Sequence, residues 1–259
     1  MTSIRRLYVL LCGYEMLQKS SSTRDRGHRF ILAEPICAYL LDTADGFVLI
    51  DTGLNLAVLR DPVACQRSYG AHVYPSTPIV LPEHEVLAQL GAIGLTPADI
   101  SHIILSHVHI DHTGELHHFR HARISVQRRE HEWAFGPHGN IAVRNADFDH
   151  PGMNWQIVDG DWRVMPGLEG ILTAGHTPGH QSFVVELPSG DVKLLTCDAG
   201  DLMENFDDEI APGETAVIEA AIPSIRKIKQ IAAERGAELM LLHDPNMVQR
   251  LRLAPDWYE

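Results

Sequence analysis

The order of apolar segments predicts an α/β fold with helices laid outside sheets. Two observations carry that reading: short apolar runs, then a helical segment, then apolar runs again, and one long late segment with helical spacing. The 259 residues, 45% of them hydrophobic, are enough for a sizeable core and are ordinary for a globular chain. No internal repeat, low-complexity tract or linker divides them, so one domain over residues 1–259 is expected.

Leu7-Tyr8-Val9-Leu10-Leu11 follows Arg5 and Arg6 and faintly imitates a signal peptide. The run is too short, has no small-residue cleavage site and soon meets Glu15 and Lys19, so it reads as a first strand. Segments 30–41 and 47–50 read as paired strands around the turn residues Ala44-Asp45-Gly46. Residues 82–94 read as a short helix with Val86, Leu87, Leu90 and Ile93 on one side. Thr96-Pro97-Ala98-Asp99 carries a cap, a proline at the first helical position and an acid three residues on. Residues 103–105 form a short buried strand ending at His107, and segments 124–126, 170–172, 183–187 and 192–195 read as later strands. The clearest helix runs through Ile222, Ile225, Ile228 and Ala232 to Gly236, with Pro223 near its start.

The charge balance, 21 Lys+Arg against 34 Asp+Glu, gives a formal net charge of −13 and argues against a nucleic-acid partner. No run approaches membrane-spanning length. Cys12, Cys37, Cys65 and Cys197 form no CxxC pair, and reduced thiols in a cytoplasm are the expectation. Histidine, at 16 residues, is the unusual component, and it is the commonest metal ligand.

Ser106-His107-Val108-His109-Ile110-Asp111-His112 puts four ligand-type residues within six positions, directly after an apolar strand. Imidazole and carboxylate suit Zn²⁺ and its neighbours, and the lack of cysteine disfavours a purely structural zinc site. Alone, the stretch would also suit a solvated polar loop. Three more segments each end an apolar run on a ligand type: Gly175-His176-Thr177-Pro178-Gly179-His180, Thr196-Cys197-Asp198 and Leu241-Leu242-His243. Singly, His180 or His243 would read as a satisfied core histidine and Asp198 as a helix cap. Together they point to one metal site.

This H-x-H-x-D-H pattern with a distant His, Asp and His resembles the metallo-β-lactamase-fold hydrolases. Leu49-Ile50-Asp51-Thr52-Gly53 and the His176 segment match as well, so the likeness runs from about residue 30 to the C-terminus. It implies an αββα sandwich: two mixed β-sheets face to face, helices on the outer faces, and a two-metal site at a sheet edge. By the same resemblance His107, His109 and His176 would hold one metal, Asp111, His112 and His243 the other, and Asp198 would bridge them. His180 and Asp51 would support the ligands without touching metal. The implied cofactors are two Zn²⁺ per chain, other divalent transition metals being compatible.

Such a pair, about 3.5–4 Å apart, can lower the pKa of a shared water from about 15.7 toward 7. Attack by a metal-bridging hydroxide then needs no activated serine, which suits a chain without a G-x-S-x-G elbow or a P-loop. Asp111 is the expected proton shuttle to the leaving group. Within the family the sequence is most similar to the lactonase branch that opens N-acyl homoserine lactones, a quorum-quenching activity. The markers are Ser106 to Gly114, Ser224-Ile225-Arg226-Lys227-Ile228-Lys229 and the ending His243-Asp244-Pro245 with Trp257-Tyr258-Glu259.

One position departs from that branch. It usually places a tyrosine three residues after the bridging aspartate, and here the residue is Asp201. A carboxylate beside Asp198 feels like-charge repulsion and cannot donate unless protonated. Asp201 therefore points away, another donor such as Tyr14 replaces the tyrosine, or the substrate differs. Ile110 is expected to face the substrate, and Tyr14, Met16, Trp133, Phe135, Phe148, Met153 and Trp155 are either pocket or rim packing. The expected partner is a small lactone or ester, with no nucleic acid and no membrane, and a homodimer is compatible with it. The alternatives are an ester or thioester hydrolase of the glyoxalase II type, a β-lactamase, and an iron-dependent redox member of the fold. A non-catalytic metal-binding scaffold is disfavoured by the complete ligand set.

Overall fold

The computed structural model describes residues 2–70, 75–137 and 140–259. Its longest strands, β1 (Ile4–Gln18) and β2 (Ile31–Thr43), pair antiparallel along nearly their whole length. Leu7, Val9 and Leu11 join one buried cluster while Tyr8, Leu10 and Cys12 join another. Successive side chains point to opposite faces of a strand, so β1 is covered on both faces and reads as a continuous apolar run. A turn at Ala44 and Asp45 leads into β3 (Gly46–Ile50), antiparallel to β2.

The remaining strands are β4 (Ser76–Ile79), β5 (Ile100–Ile104), β6 (Arg123–Gln127), β7 (Asn154–Val158), β8 (Trp162–Met165), β9 (Leu168–Leu172), β10 (Gln181–Glu186), β11 (Val192–Leu195) and β12 (Glu238–Met240). Among the described residues they form two sheets, in the orders β4-β1-β2-β3-β5-β6-β7 and β12-β11-β10-β9-β8. Both are mixed: β3, β5, β6 and β7 run parallel, as do β11 and β12, and the other pairings are antiparallel.

Three apolar layers hold the sandwich. Tyr39, Leu41 and Ile50 meet Phe183, Leu195 and Met240 between the sheets. Leu10, Leu40 and Leu49 pack with Val86, Leu90 and Phe119 on the outer face of the larger sheet. Val184 and Leu194 pack with Ile225 and Ile228 of the helix Ile218–Arg235 on the outer face of the smaller one. This is the expected αββα order. The helix closes where Gly236 adopts φ +62°, a left-handed cap that glycine takes without strain. No helix among the described residues is long and apolar enough to cross a membrane, and all four cysteines are free thiols.

Residues 82–94 are not one helix. Pro82–His84 makes a single 3-10 turn, Glu85 is extended, and the α-helix is only Val86–Ala92. The expected helix start at Thr96 is likewise one turn, Pro97–Asp99, with the Asp99 carboxylate accepting from the Thr96 backbone N–H at 2.8 Å.

Phe183 is fully buried in the layer between the sheets. Phe183→Ala should lower the unfolding free energy by about 3–5 kcal/mol, read from the urea midpoint. Asp147 is buried with one oxygen accepting from Asn55 Nδ2 at 2.8 Å and the other unpartnered, and burial pushes its carboxyl up to about 7. A folded pKa above the unfolded value gives stability that is lost as pH rises from about 4 to 7. Over that window wild type should lose stability relative to Asp147→Asn by up to about 1.4 kcal/mol per pH unit. Parallel pH dependences of the two proteins would contradict the buried, protonated carboxyl.

Candidate metal centre

Every ligand-type side chain singled out in the sequence leaves the end of a strand. His107, His109, Asp111 and His112 follow β5, His176 follows β9, Asp198 follows β11 and His243 follows β12. The sandwich brings these loops together, and all seven side chains are buried.

They form two groups whose ligand atoms lie within 4.8 Å of one another: His107, His109 and His176, and Asp111, His112, Asp198 and His243. Asp198 faces both. Its Oδ2 lies 3.6 Å from His107 Nε2 and 3.3 Å from both His176 Nε2 and His243 Nε2. Its Oδ1 lies 3.4 Å from His112 Nε2. Asp111 Oδ2 sits 3.0 Å from His112 Nε2 and 3.6 Å from His243 Nε2.

The outward nitrogens of His107, His112, His176 and His243 are fixed by partners, and the inward Nε2 of His176 meets His109 Nδ1 at 2.8 Å. The Asp51 carboxylate accepts from the Ser106 backbone N–H at 2.8 Å, from Ser106 Oγ at 2.7 Å and from His112 Nδ1 at 2.9 Å. With its proton on Asp51, Ser106 Oγ takes the Nδ1–H of His107 at 3.0 Å. His176 Nδ1 donates to the Glu214 carbonyl at 2.7 Å and His243 Nδ1 to the Pro35 carbonyl at 2.9 Å. Such second contacts set the tautomer that offers a lone pair to a metal. His107 Nε2, His112 Nε2 and Asp198 Oδ1 are accordingly buried without a hydrogen-bond partner. Orphaned acceptors of this kind are costly in a protein interior, and a divalent cation among nitrogen and oxygen donors satisfies them.

Protonation of the bare cluster shows the same demand. Burial drives His107 and His109 well below the ordinary histidine pKa. At His112 burial acts downward too, but Asp111, Asp198 and Asp51 outweigh it and hold the ring well above. His243 is raised to about 10, with Asp198 the main opponent of burial. The carboxylates thus favour a positive charge on His112 and His243, and protons and a metal cation compete for the same ring nitrogens.

Asp51 sits at φ +61°, a left-handed conformation that aspartate tolerates better than most residues. The turn after it grips the ligand helix Ile110–Thr113: Thr52 N and Thr52 Oγ1 both donate to the His112 carbonyl, at 2.7 and 2.9 Å. Gly114 admits this approach, because a Cβ there would stand 2.1 Å from Asn55 N. His180 uses both ring nitrogens elsewhere. Nε2 accepts from the Asp198 backbone N–H at 2.9 Å and Nδ1 contacts Thr173 Oγ1 at 2.9 Å, so it positions Asp198 and has no lone pair left for a metal.

Glu130 was not apparent from sequence. It is fully buried and accepts from Val108 N at 3.1 Å and Gly179 N at 2.8 Å, tying the loop of His107 and His109 to that of His176. Arg128-Arg129-Glu130-His131 reads as a solvated helical face, and nothing in it marks the one carboxylate that turns inward.

The expected substrate residues are placed differently. Ile110 does not face the cavity: it is buried in the cluster outside the larger sheet. Tyr14 does not line the cavity either, since on β1 it alternates with Glu15, which does, and its ring meets His84 edge-on. Phe148 is core, the Phe135 ring meets both Phe148 and Trp155 edge-on, Met153 and Trp155 pack against the same cluster, and the Trp133 ring lies 6.1 Å from that of His109. Met16 does not line the cavity. Asp201 does, with Oδ1 buried and unpartnered.

The metallo-beta-lactamase superfamily profile matches residues 33–234. The chain is 32% identical to the N-acyl homoserine lactonase AttM of Azorhizobium caulinodans, each covered in full. It is 30% identical to the N-acyl homoserine lactonase of Bacillus cereus over 98% of this chain and 99% of that one. A solved N-acyl homoserine lactone hydrolase with N-hexanoyl-L-homoserine bound at its catalytic metal centre superposes with a TM-score of 0.89 at 31% identity, each chain covered in full.

Removing the Asp51 carboxylate should loosen His112 and Ser106 together. Asp51→Ala is expected to cost about 10–100-fold in metal affinity, measured by competition with a chromophoric chelator. Unchanged affinity would contradict the positioning described above.

Proposed function

The chain belongs to the metallo-β-lactamase superfamily, and we propose that within it the chain is a dinuclear metal-dependent lactonase that opens the ring of N-acyl homoserine lactones. The observation that carries the proposal is the pair of buried ligand groups sharing Asp198, in a chain alike over its whole length to lactonases. His107, His109 and His176 would hold one cation, Asp111, His112 and His243 the other, with Asp198 between them. Nitrogen and oxygen donors without thiolate suit Zn²⁺. The bound cations supply Lewis acidity for the ester carbonyl and acidify water at neutral pH.

The protein's own groups do the rest. The Asp111 carboxylate lines the cavity, 3.0 Å from His112 Nε2 and 3.6 Å from His243 Nε2. From there it can accept the proton that water gives up and return it to the ring oxygen as the ester bond breaks. His180 and Glu130 hold the backbone of Asp198 and of the two histidine loops, which fixes where the reacting groups meet. The cleft beside the cavity, 290 Å³ and bordered by His109, Ile141, Ala142 and Ala216, is the place for an acyl chain. One domain over residues 1–259 and a cytoplasmic setting for its four thiols complete the proposal.

A pH-stat panel of N-hexanoyl-homoserine lactone, a glutathione thioester and nitrocefin tests it. Acid release on the lactone is expected, reduced at least about 10²-fold with the metal lost in His107→Ala and in Asp198→Ala. Turnover of the thioester or nitrocefin alone would overturn the lactonase assignment.

A further inference from the structure

His117 and His118, just beyond the ligand helix, take no part in the metal centre, yet they stand beside a buried carboxylate. Glu115, His117 and His118 form a further group whose ligand atoms lie within 4.8 Å of one another. The local sequence explains the gathering. Leu116 and Phe119 are fully buried and anchor the 3-10 turn Leu116–Phe119 in the cluster outside the larger sheet. With about three residues per turn, side chains three apart eclipse, which places His118 over Glu115. His118 N donates to the Glu115 carbonyl at 3.1 Å and Arg120 Nε to the His117 carbonyl at 3.2 Å, so the backbone of the turn is fixed.

These three side chains have the chemistry of a cation site. Glu115 is 3% exposed, and its two oxygens are divided between two tasks. Oε1 accepts from the Leu56 backbone N–H at 2.9 Å, and Oε2 lies 3.0 Å from His118 Nε2. A carboxylate pinned through one oxygen is preorganised to bind through the other. The His117 and His118 rings are 4.0 Å apart and tilted by 39°. Burial, the His118 and His150 rings and Arg120 hold His117 below the ordinary histidine range, so it is neutral and offers a lone pair. The His118 side chain is 37% exposed, so an ion reaches the group from solvent and water completes its coordination. Without a metal, a proton bridges Glu115 Oε2 and His118 Nε2; a cation in its place takes both atoms and His117 as well.

We propose that Glu115, His117 and His118 form a third metal site, separate from the buried centre, for one divalent transition ion of the Zn²⁺ type. Two imidazoles and a carboxylate are donors that Zn²⁺ takes, with a further position left to water. Having few protein ligands, one of them exposed, the site exchanges its ion with solvent, whereas the seven buried ligands keep theirs. Dialysed protein therefore retains two ions and takes up a third on addition. The third ion acts as a clamp. Gly114 N donates to the Gly53 carbonyl at 2.8 Å and Glu115 holds Leu56 N, so the turn is already tied to the loop that follows Asp51. Closing Glu115 onto two histidines stiffens that tie, directly behind His112. The site does not depend on the lactonase reading.

Zn²⁺ titration of dialysed protein carrying two ions, read by equilibrium dialysis with elemental analysis, tests the site. Wild type and His121→Ala should each take up one further ion. His117→Ala and His118→Ala should keep two and bind the third about 10-fold more weakly or not at all. Hydrogen exchange at the Leu56 and Gly114 amides of wild type should slow about 10-fold with free Zn²⁺ at about ten times the third dissociation constant, because an ion bound only to the closed form suppresses opening by that factor. That readout places the ion without any variant. No third ion in wild type, a third ion kept unweakened by both histidine variants, or one lost equally from His121→Ala overturns the site. A third ion that leaves both amides unprotected overturns the clamp. Should a histidine variant also lose the first two ions, the wild-type exchange decides alone.

Discussion

Five imidazoles and two carboxylates converge at one end of this sandwich with three of their inward atoms, His107 Nε2, His112 Nε2 and Asp198 Oδ1, buried and unpartnered, and the surrounding structure holds them that way. Buried away from water, such atoms are costly, and His107 Nε2 and His112 Nε2 lie 3.6 and 3.4 Å from the Asp198 carboxylate. The chain accepts that cost because four of the five rings are pinned from behind: His112 by Asp51, His107 by Ser106, His176 by the Glu214 carbonyl and His243 by the Pro35 carbonyl. Asp51 is the hub, taking three hydrogen bonds from the ligand loop while its own backbone sits at φ +61°. A carboxylate in a polar turn can adopt that conformation, and the sheets supply the packing that keeps it there.

That these seven side chains gather was legible in the sequence because each stands at a strand end, where an apolar run stops on a His or Asp. The αββα layering was legible only through family likeness, since β1 buried on both faces gives no alternation from which to assign a face. The short strands β4, β7 and β8 were missed because their residues are only partly buried and carry no clear period. The substrate wall was misread for a related reason. Whether Tyr14 or Glu15 faces the cavity depends on the register of β1, and one residue of register decides between an aromatic and an acidic lining. Ile110 was misplaced because the short helix Ile110–Thr113 turns Asp111 toward the centre and Ile110 toward the core.

Those corrections change the character of the pocket. Asp201 does not point away from the cavity, and Tyr14 does not line it. The two buried groups that could hold metal come from the loops after β5, β9, β11 and β12, whereas Glu15, Glu34 and Asp201 line the same cavity from β1, β2 and the turn after Asp198.

The central claim is that the bare lone pairs enclose two cations. Metal content of the purified chain by mass spectrometry, with anomalous diffraction to locate the ions, tests it most directly. Two divalent ions per chain are predicted, one at His107, His109 and His176 and one at Asp111, His112 and His243, with Asp198 touching both. No metal, or a single ion that leaves His112 and His243 free, would contradict the account.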